Sequence, residues 1–289
     1  MEKQLMRGLR KETRAPGPFV LHDDLPIPEI GDDDVLIRVR CTALCGTDIH
    51  IMDWDDWSKL HTAPPVTPGH ETAGDIVAIG RNVTDRRVGD RVSCESHIAC
   101  GSCWFCKNGL AHICRDLELF GCSVDGAFAE YVCIPASNVI PINPEIDEDV
   151  VAFFDAFGNA THTALMFDVV GEDVLITGAG SIGMMAAAIC RRNGARTVVV
   201  TDVNDYRLEM AKKMGATEVV NVAREKIESV FERHHIVEGF DVGLEMSGSP
   251  QALSSMVSLM RNGGKIALLG ILSKPADVDF NDIIFKGLT

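Results

Sequence analysis

The chain has 289 residues, 46% of them hydrophobic, which is enough for two domains of ordinary size with well-filled cores. Acidic residues outnumber basic ones by 42 to 27, so a formal net charge of −15 disfavours binding to nucleic acid or to anionic membranes. No apolar stretch approaches the ~18 residues of a membrane span, and no apolar run follows the charged residues 1–7. We therefore expect no signal peptide and a cytoplasmic location.

Short β-type runs alternate with Gly, Pro and Asp turns in the first half of the chain. The runs cover residues 35–40, 74–79, 91–94 and 127–134. Such a pattern is typical of a partly open β-barrel. We predict a β-domain over residues 1–150.

Two short motifs in this half carry side chains that bind metals. One reads C-G-T-D-I-H from Cys45, and the other reads G-H-E and ends at Glu71. Thiolate, imidazole and carboxylate are the ligands of a catalytic zinc, which keeps one position open. Adjacent His70 and Glu71 can face one ion only if the chain turns, and a Pro-Gly pair precedes them. Taken alone, Cys45 would be a core residue and His70 a buried histidine, but the two motifs together favour a metal site.

Four further cysteines follow the pattern C-x2-C-x2-C-x7-C, namely Cys100, Cys103, Cys106 and Cys114. Four thiolates close a tetrahedral zinc shell, so we predict a structural zinc in a lobe over residues 95–115. Disulfides are disfavoured in a cytosolic chain, and the bacterial iron–sulfur pattern has another last spacing and a following proline. Because a closed shell leaves no position for a substrate, we expect the chemistry elsewhere.

Strand and helix patterns alternate from residue 151 onward. The predicted strands are residues 173–177, 197–201, 218–222, 240–245 and 265–269, with helices between them, one of them over 204–214. Alternation of this kind implies right-handed crossovers and a parallel sheet. We predict an α/β domain with a doubly wound sheet over residues 151–289.

The first of these strands ends in G-A-G-S-I-G, with glycines at Gly178, Gly180 and Gly183, and this turn opens a helix. The glycines allow a tight turn, close approach of the backbone to a pyrophosphate, and helix–strand packing. Asp202 ends the next strand, where it would accept hydrogen bonds from ribose hydroxyls and repel a 2′-phosphate. We therefore predict an NAD site and prefer NAD to NADP; the alternative is a glycine turn without a ligand.

Taken in this order, the Cys45 and Glu71 motifs, the four-cysteine lobe and the glycine turn resemble zinc-dependent medium-chain alcohol dehydrogenases. Within that superfamily the chain most resembles the bacterial L-threonine 3-dehydrogenase family. The finer resemblance lies in HIMDWDDW from His50, FDAFGNATHTA from Phe154, TDVNDYRLE from Thr201 and GFDVGLEMSG from Gly239. It implies a GroES-like catalytic domain followed by a Rossmann domain, and oxidation of L-threonine by NAD+ to 2-amino-3-oxobutanoate. It also implies a homo-oligomer, a dimer or a tetramer, in the full-length form.

Carried onto matching positions, the resemblance makes Cys45, His70 and Glu71 the ligands of a catalytic zinc, so that the chain would hold two zinc ions. Thr47 and His50 would relay the substrate proton to solvent. Asp155 would lie close to the zinc and assist the relay rather than bind the ion firmly. The alternatives are that Thr47 and Asp48 only form a turn and that Asp155 only caps a helix. Contacts to NAD would come, beside the glycine turn, from Ile182, Asp202, Arg207, Leu269, Gly270 and Ile271.

The chain also departs from the family pattern. Ser181 and Ala156 stand where relatives often carry proline. The sequence stops at Thr289, before the point at which family members usually end, and the resemblance implies that the C-terminal part of both domains is missing. Two other functions stay open at this point: a related polyol or secondary-alcohol dehydrogenase, and a truncated, inactive chain that binds zinc and NAD.

Overall fold

The structure, a computed structural model, describes residues 4–272 and 274–289. The chain folds into two compact units, the second of which is Ala156–Thr289. The division follows Asp155, whereas the sequence analysis placed the boundary after residue 150. None of the helices in the described parts of the chain has the length and apolar character of a membrane span.

The first unit is built on antiparallel strands. They are β1 (Leu5–Arg10), β2 (Val20–Pro26), β3 (Asp34–Ala43), β4 (Glu71–Ile79), β5 (Arg91–Cys94), β6 (His97–Ile98), β7 (Glu118–Leu119), β8 (Tyr131–Pro135) and β9 (Val139–Pro141). Five of them form one sheet in the order β8-β3-β4-β5-β9. Its inward-facing side chains, such as Val35, Ile37 and Val92, are fully buried. Short helices join the strands: α1 (Gly46–Asp53), α2 (Asp56–His61), α3 (Trp104–Lys107) and α4 (Glu148–Ala152).

One predicted strand of this unit is shorter than expected. Residues 127–134 were predicted to be extended throughout, but β8 begins only at Tyr131. Ala127 and Phe128 instead donate backbone hydrogen bonds to Gly69 and Pro68, at 2.8 and 2.9 Å. Their N–H groups are therefore used by the turn that precedes β4 and not by the sheet.

The second unit is the predicted α/β domain. Its strands are β10 (Asp173–Thr177), β11 (Thr197–Asp202), β12 (Glu218–Asn221), β13 (Phe240–Glu245) and β14 (Met260–Leu268). Its helices are α5 (Phe154–Ala164), which begins just before the division, α6 (Ser181–Arg192), α7 (Asp205–Met214), α8 (Ser229–His234), α9 (Pro250–Leu259) and α10 (Phe280–Lys286). The strands are parallel in the order β12-β11-β10-β13-β14. Numbered from β10 as the first strand, this order is 3-2-1-4-5, which is the order of the first five strands in a dinucleotide-binding sheet.

Several boundaries in this unit differ from the predicted ones. β11 ends one residue later, at Asp202, and β12 one residue earlier, at Asn221, and two other differences have a visible cause. Asn204 does not belong to α7 but precedes it as the N-cap, and its side chain accepts a hydrogen bond from Arg207 N at 3.2 Å. The last strand was predicted over residues 265–269, but β14 begins at Met260, which pairs with Phe240 before a register shift. The glycines around Gly263 hid this extension, because glycine is a poor strand former.

Candidate metal centres and cofactor site

The four-cysteine lobe brings its sulfur atoms together between β6 and β7. The Sγ–Sγ distances are 3.5 Å for Cys103–Cys106, 3.8 Å for Cys103–Cys114 and 3.5 Å for Cys100–Cys114. A tetrahedron with Zn–S bonds of about 2.3 Å has edges of about 3.8 Å. All ten cysteines are free thiols, so these four are not joined in pairs. The sulfur cluster therefore fits a zinc ion with four thiolate ligands.

The local backbone explains how so short a segment converges. Gly101 and Gly109 have φ values of +69° and +76°, a region that side chains disfavour, and they turn the chain around the cluster. Cys103 is the N-cap of α3. Backbone N–H groups of Cys106 and Arg115 lower the pKa of the Cys103 thiol to about 6. Cys103 thus favours the thiolate, which is the form that binds metal, whereas burial and hydrogen bonds to Cys103 and Cys114 raise the pKa of Cys106 to about 12.

A second cluster joins Cys45, His70 and Glu71. One ligand atom from each of the three lies within 4.8 Å of the others. Cys45 is the N-cap of α1, and Glu71 is the first residue of β4. The predicted turn before His70 is present, with Gly69 at φ +91°. A Cβ there would lie 2.4 Å from Cδ1 of Phe128, so only glycine fits.

The donor atoms of this cluster suit a cation. His70 and Glu71 are buried, with 6% and 4% of their surfaces exposed. His70 Nδ1 has no hydrogen-bond partner among the described residues. Thiolate, imidazole and carboxylate form a zinc ligand set of three, which leaves the fourth position open. The residues present therefore fit a catalytic zinc.

Acidic groups crowd around the His70 imidazole. Burial raises the pKa values of Glu71, Asp48 and Asp155. Burial lowers the pKa of His70, but the hydrogen bond and charge of Cys45, with the charges of Asp155 and Asp48, outweigh it and raise the value to about 9. Negative groups thus outnumber the imidazole, and a divalent cation would balance them.

Asp48 has a larger part in this site than the sequence suggested. It is fully buried, and its Oδ2 accepts a hydrogen bond from the backbone N of Cys45 at 2.9 Å. Its Oδ1 has no hydrogen-bond partner among the described residues. Asp48 therefore fixes the main chain of Cys45, beyond forming a turn. Its place three residues after an N-cap was a usable signal, because acidic side chains there bond back to the cap.

The other predicted residues of the first unit have defined partners. Thr47 Oγ1 lies 3.6 Å from Cys45 Sγ. Asp155 Oδ1 accepts a hydrogen bond from Ser96 Oγ at 2.9 Å. His50 Nδ1 is hydrogen-bonded to Asp55 Oδ2. No role for this aspartate was predicted from the sequence, although it lies in the D-D pair that follows His50.

In the glycine turn of the second unit, two of the three glycines have no room for a side chain. Gly178 has φ +93°, and a Cβ there would lie 2.9 Å from the backbone of Ser247. A Cβ on Gly183 would lie 1.9 Å from the carbonyl oxygen of Gly178. At Gly180, the N-cap of α6, no atom of the described residues lies within 4 Å of an added Cβ. The backbone at Gly180 is therefore open to an approaching ligand, next to a helix N-terminus that attracts phosphate.

Asp202, at the end of β11, holds this turn in place. Its Oδ2 accepts a hydrogen bond from Ala179 N at 2.8 Å, and its Oδ1 accepts from Val203 N and Asn204 N at 2.8 and 2.9 Å. A carboxylate has about four acceptor sites, so one is left for a ligand. Asp202 thus lies beside the glycine turn, and its carboxylate also stabilises the backbone of that turn.

The remaining predicted cofactor residues differ in their surroundings. Leu269 N and Gly270 N both donate to the carbonyl oxygen of Glu245, at 2.9 and 3.0 Å, which holds the turn after β14 at the end of β13. Ile182 is half-buried against Met185 and neighbours in α5. Arg207 lies exposed on α7.

Two families match the chain by sequence. Residues 31–144 match the family "Alcohol dehydrogenase GroES-like domain", and residues 181–289 match the family "Zinc-binding dehydrogenase". An L-threonine 3-dehydrogenase of Burkholderia lata is 55% identical over 98% of this chain and 82% of its own length. One of Shewanella loihica is 56% identical over the same shares.

Solved structures show the same fold. A zinc-binding dehydrogenase of Sinorhizobium meliloti bound to NADP has a TM-score of 0.90 and 30% identity, covering 99% of this chain and 83% of its own. Galactitol-1-phosphate dehydrogenase of Escherichia coli has a TM-score of 0.88 and 28% identity, covering 98% and 82%. An E. coli alcohol dehydrogenase in complex with NADH has the same values. The GroES-like and Rossmann fold class predicted from the sequence is confirmed.

Proposed function

The chain belongs to the zinc-binding dehydrogenase family that includes the L-threonine 3-dehydrogenases, and on this basis we propose that it oxidises L-threonine with NAD+ to 2-amino-3-oxobutanoate and NADH. The observation that carries the proposal is the cluster of Cys45, His70 and Glu71, which is a three-ligand zinc set that leaves the fourth position open for an alcohol. Identity of more than half over nearly the whole chain supports the choice of L-threonine.

Cys45, His70 and Glu71 would hold the catalytic zinc, and the cysteines of the lobe would hold a structural zinc. When bound, the catalytic zinc supplies a Lewis acid that lowers the pKa of the substrate hydroxyl. The Asp48 carboxylate accepts a hydrogen bond from the backbone N–H of Cys45 and fixes that residue, and the Ser96 hydroxyl donates to the carboxylate of Asp155 and fixes it. In this proposal Asp155 assists the relay and is not a ligand.

Thr47 and His50 form the proton relay. The Thr47 hydroxyl lies beside the Cys45 thiolate, at 3.6 Å, and can pass a proton because a hydroxyl both donates and accepts. His50 is three residues further along α1, on the same face of the helix. Its imidazole takes the proton and, being partly exposed, returns it to solvent.

The second unit binds NAD. The open backbone at Gly180, at the N-terminus of α6, would hold the pyrophosphate, and the remaining acceptor site of Asp202 would bond to the ribose hydroxyls. Ile182, Arg207 and the turn of Leu269, Gly270 and Ile271 contact the dinucleotide. NAD is preferred because the Asp202 carboxylate repels a 2′-phosphate. A homo-oligomeric assembly and a cytoplasmic location stay predictions.

The test is turnover of L-threonine, sorbitol and 2,3-butanediol with NAD+, followed by NADH absorbance. We expect NADH formation with L-threonine far above the other two. Preference for sorbitol or 2,3-butanediol would make the chain a polyol or secondary-alcohol dehydrogenase. No turnover with any of them, in protein shown to contain zinc, would contradict an enzymatic function.

A further inference from the structure

His50 and Asp55 form a hydrogen-bonded pair at the junction of α1 and α2. His50 lies in the last turn of α1, and its Nδ1 bonds to Oδ2 of Asp55, the N-cap of α2. The other oxygen of Asp55, Oδ1, accepts from Ser58 N at 2.9 Å and from Ser58 Oγ at 3.1 Å. Both carboxylate oxygens are therefore committed, and the helix N-terminus holds the carboxylate in place.

The backbone at the end of α1 fixes the main chain of His50. Trp54 adopts a left-handed conformation with φ +53°, and its N–H donates to the carbonyl oxygen of His50. The Trp57 ring lies 6.1 Å from the His50 ring, centroid to centroid. His50 and Asp55 keep 26% and 32% of their side chains exposed. The ring is thus held by the Asp55 carboxylate and lies beside Trp57, while part of the side chain stays open to water.

The chemistry of the pair sets the tautomer of the ring. Burial would raise the pKa of Asp55, but hydrogen bonds from Ser58 and His50 outweigh it and lower the value, so the carboxyl group is ionised near neutral pH. An ionised carboxylate only accepts hydrogen bonds, so Nδ1 of His50 must carry a hydrogen. In the neutral ring Nε2 is then the acceptor.

We propose that Asp55 is the positioning residue of the proton relay: it fixes His50 in the Nδ1–H tautomer and so makes Nε2 the atom that receives the proton. The inference rests on the proposed role of His50 and deepens it. Nε2 accepts one proton from the Thr47 side, which gives a doubly protonated ring facing the Asp55 carboxylate. The same proton then leaves from Nε2 to water, and the ring returns to its starting tautomer.

Asp55→Asn tests the proposal with little change in shape. Ser58 N needs an acceptor, so the asparagine oxygen takes the place of Oδ1 and keeps the N-cap, since Asn and Asp cap helices about equally well. The amide nitrogen then faces His50 and donates to Nδ1, which moves the ring hydrogen to Nε2 and blocks proton uptake. We expect kcat for L-threonine to fall on the order of a hundredfold, with unchanged zinc content, Tm and KM.

Two matched variants separate positioning from stability. Asp56→Asn removes the adjacent carboxylate, which is exposed and paired with Lys59, and should leave kcat and Tm as they are. In Asp55→Ser the shorter hydroxyl side chain keeps the helix cap at Ser58 N and does not extend to His50 Nδ1, so its loss of kcat should be smaller than that of Asp55→Asn. Equal kcat losses in the two Asp55 variants, both with lowered Tm, would show a purely structural role and overturn the proposal.

Nitrogen NMR of the histidine rings shows which ring nitrogen of His50 carries the hydrogen, independently of enzyme activity. The His50 signal is identified by its absence in His50→Gln. We expect a hydrogen on Nδ1 in the parent protein and on Nε2 in Asp55→Asn. In the His50→Gln background, Asp55→Asn should cause no further loss of kcat. A hydrogen on Nε2 in the parent, or additive losses in the double variant, would overturn the role of Asp55. If the parent does not turn over L-threonine, the proposed function fails, and the NMR result still decides the pair.

Discussion

Asp202 serves both the fold and the proposed cofactor, because its carboxylate accepts from Ala179 N in the glycine turn and from two backbone N–H groups beyond β11. We predict that Asp202→Asn lowers NAD affinity about tenfold to a hundredfold, since a hydrogen bond to a charged group is worth about 1.5–3 kcal/mol. The preference for NAD over NADP should narrow as well, because the repulsion of a 2′-phosphate disappears. Calorimetric titration with NAD and with NADP measures the two affinities.

The matched control is Glu209→Gln, which removes one negative charge from exposed α7, where Glu209 pairs with Lys213. It should change neither affinity. If Asp202→Asn binds both dinucleotides as the parent does, Asp202 is not at the ribose.

At this scale the sequence predicted residues that belong to short motifs and missed those that join distant segments. Cys45, His70 and Glu71 were found because their residue types and the Pro-Gly turn are local signals. The partner of Asp155 was not found, because Ser96 is 59 residues away and a lone serine has no periodicity. Asp55 lies next to His50 because Trp54 adopts a left-handed backbone conformation. A tryptophan in the sequence gives no indication of this conformation, which residues other than glycine rarely adopt.

In the glycine turn between β10 and α6, Gly183 has no room for a side chain, whereas Gly180 has. Gly183→Ala places a methyl group 1.9 Å from the Gly178 carbonyl oxygen, and backbone cannot move aside cheaply. We predict that the free energy of unfolding falls by about 1–3 kcal/mol or more. Denaturant titration measures it.

Gly180→Ala is the companion variant. Its φ of −69° suits any residue, and no described atom lies within 4 Å of the new methyl group, so stability should be kept. The methyl group would stand where the pyrophosphate approaches, so NAD affinity should fall. Normal NAD binding by Gly180→Ala would move the cofactor away from this turn.

The cysteine lobe is an element whose fold depends on its metal. We predict that Cys106→Ser loses one zinc ion and lowers Tm, because the remaining thiolates no longer close the shell. Elemental analysis and thermal unfolding measure the two effects. Cys41→Ser is the control, since Cys41 bonds through its thiol to Asp149 at 3.3 Å and a serine hydroxyl can do the same. Equal zinc content and Tm in Cys106→Ser and the parent would contradict a structural zinc.

Strands and helices were predicted best where one local pattern decides them. The buried apolar runs of β10 and β13 have the predicted bounds, because every residue there faces the core or a neighbouring strand. The predicted bounds were wrong where a partner from elsewhere in the chain sets the end of a strand. This is the case at residues 127, 128 and 130, whose N–H groups bond to the turn before β4 and to β1.

For the whole molecule, the two units divide the proposed chemistry between them. The first contains both clusters that fit zinc, and the second contains the glycine turn and Asp202. Each part could be predicted from short motifs, although the three-ligand site combines two of them, one at Cys45 and one at His70 and Glu71. The charges of both Asp155 and Asp48 act on His70. The resemblance implied the place of Asp155 near the metal site, whereas Asp48 was expected only to form a turn, because nothing local shows that its carboxylate is buried beside His70.

The most direct test of the account is stepwise removal of zinc, with zinc content and L-threonine-dependent NADH formation measured at each step. We predict two zinc ions per chain and loss of the ion at Cys45, His70 and Glu71 first, because three ligands and an open position hold metal less firmly than four thiolates. Activity should disappear with this first ion while Tm changes little, and it should return when zinc is added back. Full activity in protein that contains a single zinc ion, or none, would contradict the account.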